Sequence, residues 1–283
     1  VRALRLSDGK EAWRAYTGGA VLYPPSIAGG RAFVGSADGW AYAFDADDGK
    51  LLWRFRAAPA ERRIPVYGRL QSTWPVAGGV LVEGGVAYFA AGMTDFDGTH
   101  VYALDAKTGK IKWQNNTSGH LDEFSRRGVA VQGHLLANNG KLYLPGGNAA
   151  SPGVYDMKTG KCEAKAPTSP GTNARRGREL RLVGGNIEVS GQPLYSEPDN
   201  PVFDGGCRWN VAVLNGRNAS LLFAPGGGKP GEWRLVAIDA YTNGEMWSQP
   251  LPAEPVRWGI AADPAGRIVV TCRNGDVLCF GRK

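Results

Sequence analysis

Short runs of alternating apolar and polar residues, separated by glycine-containing turns, fill most of the chain. Alternation with period two predicts β-strands that bury one face, and glycine pairs predict the tight turns between them. Within residues 26–57 the turns are Gly29-Gly30, Asp38-Gly39 and Asp48-Gly49. The four runs that these turns separate predict four short antiparallel strands: Ser26-Ile-Ala, Arg31-Ala-Phe-Val-Gly-Ser, Trp40-Ala-Tyr-Ala-Phe-Asp-Ala and Leu51-Leu-Trp-Arg-Phe-Arg.

The same unit recurs along the chain. Ala43–Trp53 matches Ala103–Trp113 and Ala237–Trp247, and weaker copies occupy 3–13 and 154–164, the last of which has lost the tryptophan. Trp13 and Trp53 are 40 residues apart, and later copies are spaced by insertions or by two units. Four strands per period of about 40 residues predict the blades of a β-propeller. We therefore expect an all-β fold of four-stranded antiparallel blades, about seven in number and between six and eight.

The two ends of the chain fall inside predicted blades. Val1-Arg-Ala-Leu and Asp276-Val-Leu-Cys-Phe both occupy the position of a third strand. We expect incomplete terminal blades, a ring not closed by strand exchange within this chain, and a single propeller domain over 1–283 that is a fragment of a longer chain with a missing upstream segment. One blade is hidden between 165 and 206, where 179–190 contains a strand pair.

The repeated Ala-x-Asp-x-x-x-Gly-x-x-x-Trp pattern resembles the tryptophan-docking repeat of the pyrroloquinoline-quinone (PQQ) type β-propellers. The resemblance implies that Trp13, Trp53, Trp113 and Trp247 pack one blade against the next. The quinoprotein dehydrogenases share this repeat. By resemblance, their activity requires calcium held by acidic and amide side chains, a catalytic aspartate and two adjacent cysteines. No two cysteines are adjacent in this chain. From the sequence we therefore expect that the protein binds neither a cofactor nor a metal, and PQQ with calcium is the disfavoured alternative.

Composition narrows the function classes further. Glycine is about twice as frequent as usual, with 41 residues in 283, which excludes helical bundles. The net charge of +7 suits an anionic partner, but the basic residues form no tail or stripe, so we expect no nucleic-acid partner. No apolar run is long enough for a membrane span.

Cys272 and Cys279 lie diagonally across the Asn274-Gly275 turn. A disulfide between them is therefore one alternative, but two free thiols are favoured.

Arginine and tryptophan recur just ahead of the predicted innermost strands. Equivalent positions in different blades are related by rotation, so we expect these side chains to converge at one mouth of the central channel. Arginine forks fit carboxylates, sulfates or phosphates, and indole faces fit sugar rings or flat cofactors. Pairing with neighbouring acids is the alternative. The predicted ligand-binding set comprises Arg69, Trp74, Arg126, Arg127, Arg208, Trp209, Arg257 and Trp258.

Two classes of function follow from these features. The first is a non-catalytic propeller that binds a protein partner or an anionic or saccharide ligand, located in the periplasm or outside the cell. It resembles the periplasmic propeller lipoproteins that assist outer-membrane barrel assembly. The alternative is an enzyme at the channel mouth, either a PQQ-dependent oxidoreductase or an enzyme acting on acidic polysaccharides. The absence of calcium-ligand and paired-cysteine motifs favours the binding protein.

Overall fold

The computed structural model describes residues 1–5, 7–66, 68–121, 127–146, 150–164, 179–183, 186–190, 209–214, 219–225, 231–239, 244–262 and 266–281. Within these ranges the chain forms antiparallel β-sheets and no α-helix, as predicted. It divides into two compact units. Unit 1 comprises Val1–Leu180 and Val189–Ser196, and unit 2 comprises Arg181–Glu188 and Glu197–Lys283.

Unit 1 contains a series of sheets in chain order, two of them with four strands. The first sheet is β1 (Arg2–Leu4) and β2 (Glu11–Arg14). The second is β3 (Ser26–Ala28), β4 (Arg31–Gly35), β5 (Trp40–Asp45) and β6 (Leu51–Arg56), followed by the hairpin β7 (Arg63–Val66) and β8 (Arg69–Ser72). The third is β9 (Leu81–Glu83), β10 (Val86–Ala91), β11 (His100–Asp105) and β12 (Ile111–Asn115), and the fourth is β13 (Leu136–Asn138), β14 (Lys141–Leu144) and β15 (Gly153–Asp156).

The predicted strand pair within 179–190 is present as the two-stranded sheet β16 (Glu179–Val183) and β17 (Asn186–Ser190). Unit 2 then holds one four-stranded and one three-stranded sheet. The former is β18 (Trp209–Leu214), β19 (Ala219–Pro225), β20 (Trp233–Asp239) and β21 (Glu245–Leu251). The latter is β22 (Pro255–Ala262), β23 (Ile268–Cys272) and β24 (Val277–Phe280). Three sheets thus have the predicted four strands, and the number of blades stays a prediction.

Burial follows the position of a strand within its sheet. The middle strands β4, β5, β10 and β11 are almost entirely buried, whereas the outer strand β6 alternates between exposed and half-buried residues. Middle strands are covered on both faces, so their sequences are nearly continuously apolar. The core of unit 1 lies between successive sheets, with Phe33 and Phe89 in one cluster and Tyr88 and Tyr155 in the next.

The repeated aspartate of the motif closes the turn that follows the third strand of a sheet. Asp105 Oδ1 accepts hydrogen bonds from the Thr108 amide and hydroxyl, both at 2.8 Å. Asp156 does the same with Thr159 at 2.8 Å. These hydrogen bonds, above all the one from the threonine hydroxyl, stabilise the charged carboxylates and so lower the pKa of both carboxyl groups. The sequence repeat is therefore a repeat of one turn geometry.

Main-chain hydrogen bonds join the loops at one edge of unit 1. The Ser72 amide donates to Ala37 O at 2.7 Å, and the Val76 amide donates to Ser36 O at 3.0 Å. Farther along, the amide of Gly92 donates to Pro75 O at 3.3 Å. These bonds hold the insertion after β6 against the loops of the second and third sheets, and this edge carries the candidate site.

Candidate functional site

The long insertion after β6 is a hairpin followed by a buried segment. In β7 and β8, Pro65 pairs with Leu70 and Val66 with Arg69, which places Arg69 at the exposed tip. Residues 71–80 are all buried. Trp74 is 9% exposed, so its ring belongs to the protein interior at this edge and not to an open surface.

Trp74 lies in a polar latch that ties the insertion to the loop after β10. Its indole Nε1 donates to Asp97 O at 2.6 Å. The Arg62 guanidinium carbon lies 5.7 Å from the centroid of the Trp74 ring, within cation–π range, and Arg62 Nη2 lies 3.7 Å from Asp97 Oδ1. We call Arg62, Trp74 and Asp97 the latch. The repeat pattern does not single out Arg62 or Asp97, because both lie in insertions, although the Arg62-Arg63 pair is visible in the sequence.

Two large apolar side chains on this edge face solvent. Leu70 in the hairpin is 66% exposed, and Phe96 in the loop after β10 is 67% exposed. On the other face of the hairpin, Gln71 is buried and its Nε2 lies 4.0 Å from Met93 Sδ. The exposed side chains are therefore carried by anchored loops. We define the insertion surface as Arg62, Arg63, Arg69, Leu70 and Phe96.

The loop before β13 approaches the same edge. Arg127 is half-buried, and its carbonyl accepts a hydrogen bond from the Leu121 amide at 2.9 Å. The Gly128 amide lies 3.4 Å from the buried Asp95 carboxylate, and the ring of His120 lies 3.4 Å from Phe96 O. Arg126 lies outside the described residues.

The remaining members of the predicted channel-mouth set belong to unit 2. Trp209 begins β18, and Arg257 and Trp258 lie within β22, but the structure describes only their backbone. Arg208 lies outside the described residues. Convergence of the predicted arginine and tryptophan side chains therefore stays a prediction.

The repeated tryptophans of unit 1 contact the next sheet in one manner. Trp13 Nε1 donates to Ala46 O at 2.8 Å, Trp53 Nε1 to Ala106 O at 3.1 Å and Trp113 Nε1 to Met157 O at 2.9 Å. Each indole also lies against the turn glycine of that sheet; these glycines are Gly49, Gly109 and Gly160. Trp247 in β21 is 36% exposed.

Buried titratable groups lie elsewhere in unit 1. Tyr42 donates its hydroxyl to the buried Asp38 carboxylate at 2.5 Å. Burial, followed by this hydrogen bond, raises the pKa of Tyr42 to about 12. His134 is half-buried, with the Tyr23 ring 6.4 Å away, and burial lowers its pKa to about 4.

The described residues hold free cysteines and no cluster of acidic, histidine and cysteine side chains suited to a metal ion. No group of three or more His, Cys, Asp or Glu side chains there is placed to hold a metal ion. Cys272 and Cys279 are free thiols, and so is Cys162; Cys207 lies outside the described residues. The same ranges hold no helix with the length and apolar character of a membrane span.

The chain is similar to known proteins both in sequence and in structure. The assembly factor BamB of Burkholderia pseudomallei (strain K96243) is 31% identical over 111 residues, which is 39% of this chain and 26% of that protein. The quinohemoprotein alcohol dehydrogenase ADH-IIG of Pseudomonas putida is 25% identical over 243 residues, which is 79% of this chain and 31% of that enzyme. The chain thus spans about a third or less of the length of these curated relatives.

A europium-containing methanol dehydrogenase has a similar fold, with a TM-score of 0.51 and 14% identity over 99% of this chain and 74% of that one. A family model described as outer membrane protein assembly factor BamB matches residues 1–192. That match covers more than half of the 283 residues. The chain therefore belongs to the outer membrane protein assembly factor BamB family, whose PQQ-like repeat is that of the β-propellers.

Proposed function

We propose that this chain is a non-catalytic binding protein of the cell envelope, periplasmic or secreted, which presents the insertion surface to a protein partner. The observation that carries the proposal is the exposure of Leu70 and Phe96 on anchored loops. A large apolar side chain held in water gains free energy when a partner covers it, and exposed apolar patches rimmed by polar groups are typical of protein interfaces.

The charged residues around these two side chains support binding. Arg63 pairs with Glu61 at 3.3 Å and Arg62 with Asp97, while Arg69 is exposed at the hairpin tip. Arginine is enriched at protein interfaces because its planar fork binds carboxylates and its stem packs on apolar surface. Because guanidinium groups stay protonated, they suit recognition better than proton transfer.

The family suggests the class of partner. Its members are described as outer membrane protein assembly factors. We therefore propose a protein of the outer-membrane barrel-assembly machinery as the partner, bound through an apolar patch with an acidic rim. The latch keeps the hairpin ordered before binding, which reduces the entropy lost when the complex forms.

Surface plasmon resonance with the periplasmic part of the barrel-assembly protein from the same organism tests this. We expect the double variant Leu70→Ser, Phe96→Ser to bind at least about tenfold more weakly, since each large anchor typically contributes a kcal/mol or more. Ile27→Ser is the matched control, because Ile27 is 67% exposed but lies on β3. Equal affinity of the double variant and the control would contradict the proposal.

The alternative functions give different results in the same preparation. An oxidoreductase requires that PQQ with Ca²⁺ support dye-linked oxidation of an alcohol. A polysaccharide-active enzyme requires that an acidic glycan be cleaved. Activity in either assay, together with no binding to the assembly protein, would replace the proposed function.

A further inference from the structure

The outer strand β6 has a free main-chain edge at two of its arginines. Hydrogen-bonded and non-hydrogen-bonded residue pairs alternate along two antiparallel strands. The Ala57 amide donates to Gly39 O at 2.9 Å, and the register between β5 and β6 continues from this pair through Phe55. Phe55 is therefore hydrogen-bonded to β5, and the N–H and C=O groups of Arg54 and Arg56 point away from β5.

Neither arginine is paired with an acidic side chain in the part of the chain that the structure describes. No hydrogen bond there reaches the outward N–H and C=O groups of Arg54 and Arg56, and both side chains are exposed. The Arg54 guanidinium carbon lies 4.8 Å from the centroid of the Trp40 ring, which orients this cation beside the strand. The edge thus combines unpaired main-chain groups with two unpaired positive charges.

The other face of β6 is held by aromatic rings of the core. The ring centroid of Phe55 lies 5.0 Å from that of Tyr102 and 5.8 Å from that of Phe89. The rings of Trp53 and Phe33 are 5.8 Å apart. The strand is therefore ordered before a partner binds, which reduces the entropy lost on association. Phe55 and Trp53 remain half-buried, so an added strand could cover more of their apolar surface.

The other four-stranded sheets of the described ranges carry different residues at the corresponding outward positions. In the third sheet these residues are Gln114 and Asn116, which are neutral. In the four-stranded sheet of unit 2 they are Ser248 and Pro250. Proline has no N–H to donate, so it interrupts a ladder at that edge. Among these three outer strands, β6 is the one with two outward positive charges and no proline.

We propose that the outer edge of β6 binds an extended acidic segment of a partner polypeptide, which adds to the sheet as an antiparallel strand. Its main chain pairs with Arg54 and Arg56, and carboxylates at the two residues opposite them bind the guanidinium groups. The residue between these carboxylates lies on the face of Phe55 and is apolar. This edge is separate from the insertion surface, and its role does not depend on the proposed function.

A short acidic peptide, acetyl-Thr-Glu-Val-Glu-Thr-amide, is the probe, and it is titrated into the full chain. At saturation we expect hydrogen exchange of the Arg54 and Arg56 amides, measured by NMR, to be at least about tenfold slower, because the added strand protects them. N-methylation of both glutamates leaves the charges but removes two N–H donors, so we expect at least about tenfold weaker affinity. A peptide with lysine in place of both glutamates should lose at least as much.

Protein variants test the two arginines. The double variant Arg54→Gln, Arg56→Gln should bind the acidic peptide about tenfold more weakly, and salt should reduce its affinity less than that of the unmodified chain. The matched control is Lys110→Gln, Lys112→Gln, which removes the same charge from exposed positions at the start of the outer strand β12. It should bind as the unmodified chain does, because long-range attraction alone does not form the strand pair.

The absence of saturable binding, or unchanged exchange of the Arg54 and Arg56 amides at saturation, would overturn the proposal. Equal affinity for the N-methylated peptide would also overturn it, because charge attraction without strand pairing would then explain the binding. Equal losses in the two double variants would have the same meaning. The variant Leu70→Ser, Phe96→Ser should bind the acidic peptide normally, so failure of the proposed function leaves this result intact.

Discussion

The indole of Trp53 lies against Gly109 in the turn of the following sheet, with two ring carbons 3.0 Å from the position of a glycine Cβ. The same indole donates its N–H to Ala106 O at 3.1 Å. Gly109 meets two requirements here, a φ of 71° and contact with the ring. The tryptophan and the glycine of the repeat are therefore partners in adjacent sheets and not within one sheet.

Gly109→Ala should lower the free energy of unfolding by about 2 kcal/mol, of which about 1 kcal/mol comes from the positive φ and the rest from displacing the ring. Gly140→Ala should lose only the φ contribution, because its Cβ position is open. Urea unfolding followed by far-UV circular dichroism measures both. Equal losses in the two variants would mean that the ring contact contributes nothing.

The Tyr42–Asp38 pair should make stability sensitive to alkali. The pKa of Tyr42 rises from 10.0 to about 12 on folding, mainly through burial, so the folded state holds the proton more tightly than the unfolded state. Stability is complete below pH 10 and is lost as the pH rises towards about 12. Thermal melts across this window should decline less steeply for Tyr42→Phe than for the unmodified chain. Tyr16→Phe, at a site 77% exposed, should decline like the unmodified chain.

His134 should produce the opposite dependence at acidic pH. Burial lowers its pKa from 6.5 to about 4, so the folded state excludes the proton that the unfolded state accepts. The stability that this contributes is complete above pH 6.5 and is lost as the pH falls towards about 4. The urea midpoint should fall less in His134→Gln than in the unmodified chain over this window. Parallel curves would show that His134 does not titrate there.

Removing the latch should loosen the insertion hairpin without unfolding unit 1. Arg62→Ala removes both the contact with the Trp74 ring and the ion pair with Asp97. Amide hydrogen exchange in β8 should become faster, while global stability changes by less than about 1 kcal/mol because the pair is largely exposed. Arg63→Ala removes only the pair with Glu61 and is the control. Similar exchange rates in the two variants would show that the latch does not order the hairpin.

Substituting two arginines of unit 2 tests whether the predicted channel-mouth residues bind an anionic ligand. Arg208→Ala with Arg257→Ala should weaken binding of an acidic oligosaccharide, such as oligogalacturonate, by about tenfold and reduce its salt dependence. The melting temperature should stay unchanged. If calorimetry shows an unchanged affinity for the oligosaccharide, the channel-mouth site is wrong and the binding-protein interpretation alone is left.

Much of the architecture was predictable because its determinants are local. Alternation and glycine pairs predicted β3–β6 at nearly their observed bounds, since strand period and turn conformation depend on adjacent residues. The hairpin of β7 and β8 was not predicted. Its eight paired residues contain a proline and little alternation, and they are held by bonds to other loops. A two-stranded hairpin has marginal stability alone, so its existence depends on what it packs against.

The repeat, the strands, the turn aspartates and the spacing of the tryptophans can all be read from local sequence, because each recurs at a fixed spacing that one turn geometry imposes. The environment of a side chain outside the repeat depends instead on how distant segments pack together. Trp74 and Trp53 are the same residue type, yet Trp74 is buried in a hydrophobic cluster and also contacts a carbonyl and an arginine that lie 23 and 12 residues away in the chain. Leu70 and Phe96 are exposed although their types favour the interior. Burial depends on contacts between distant segments, and no local pattern encodes those contacts.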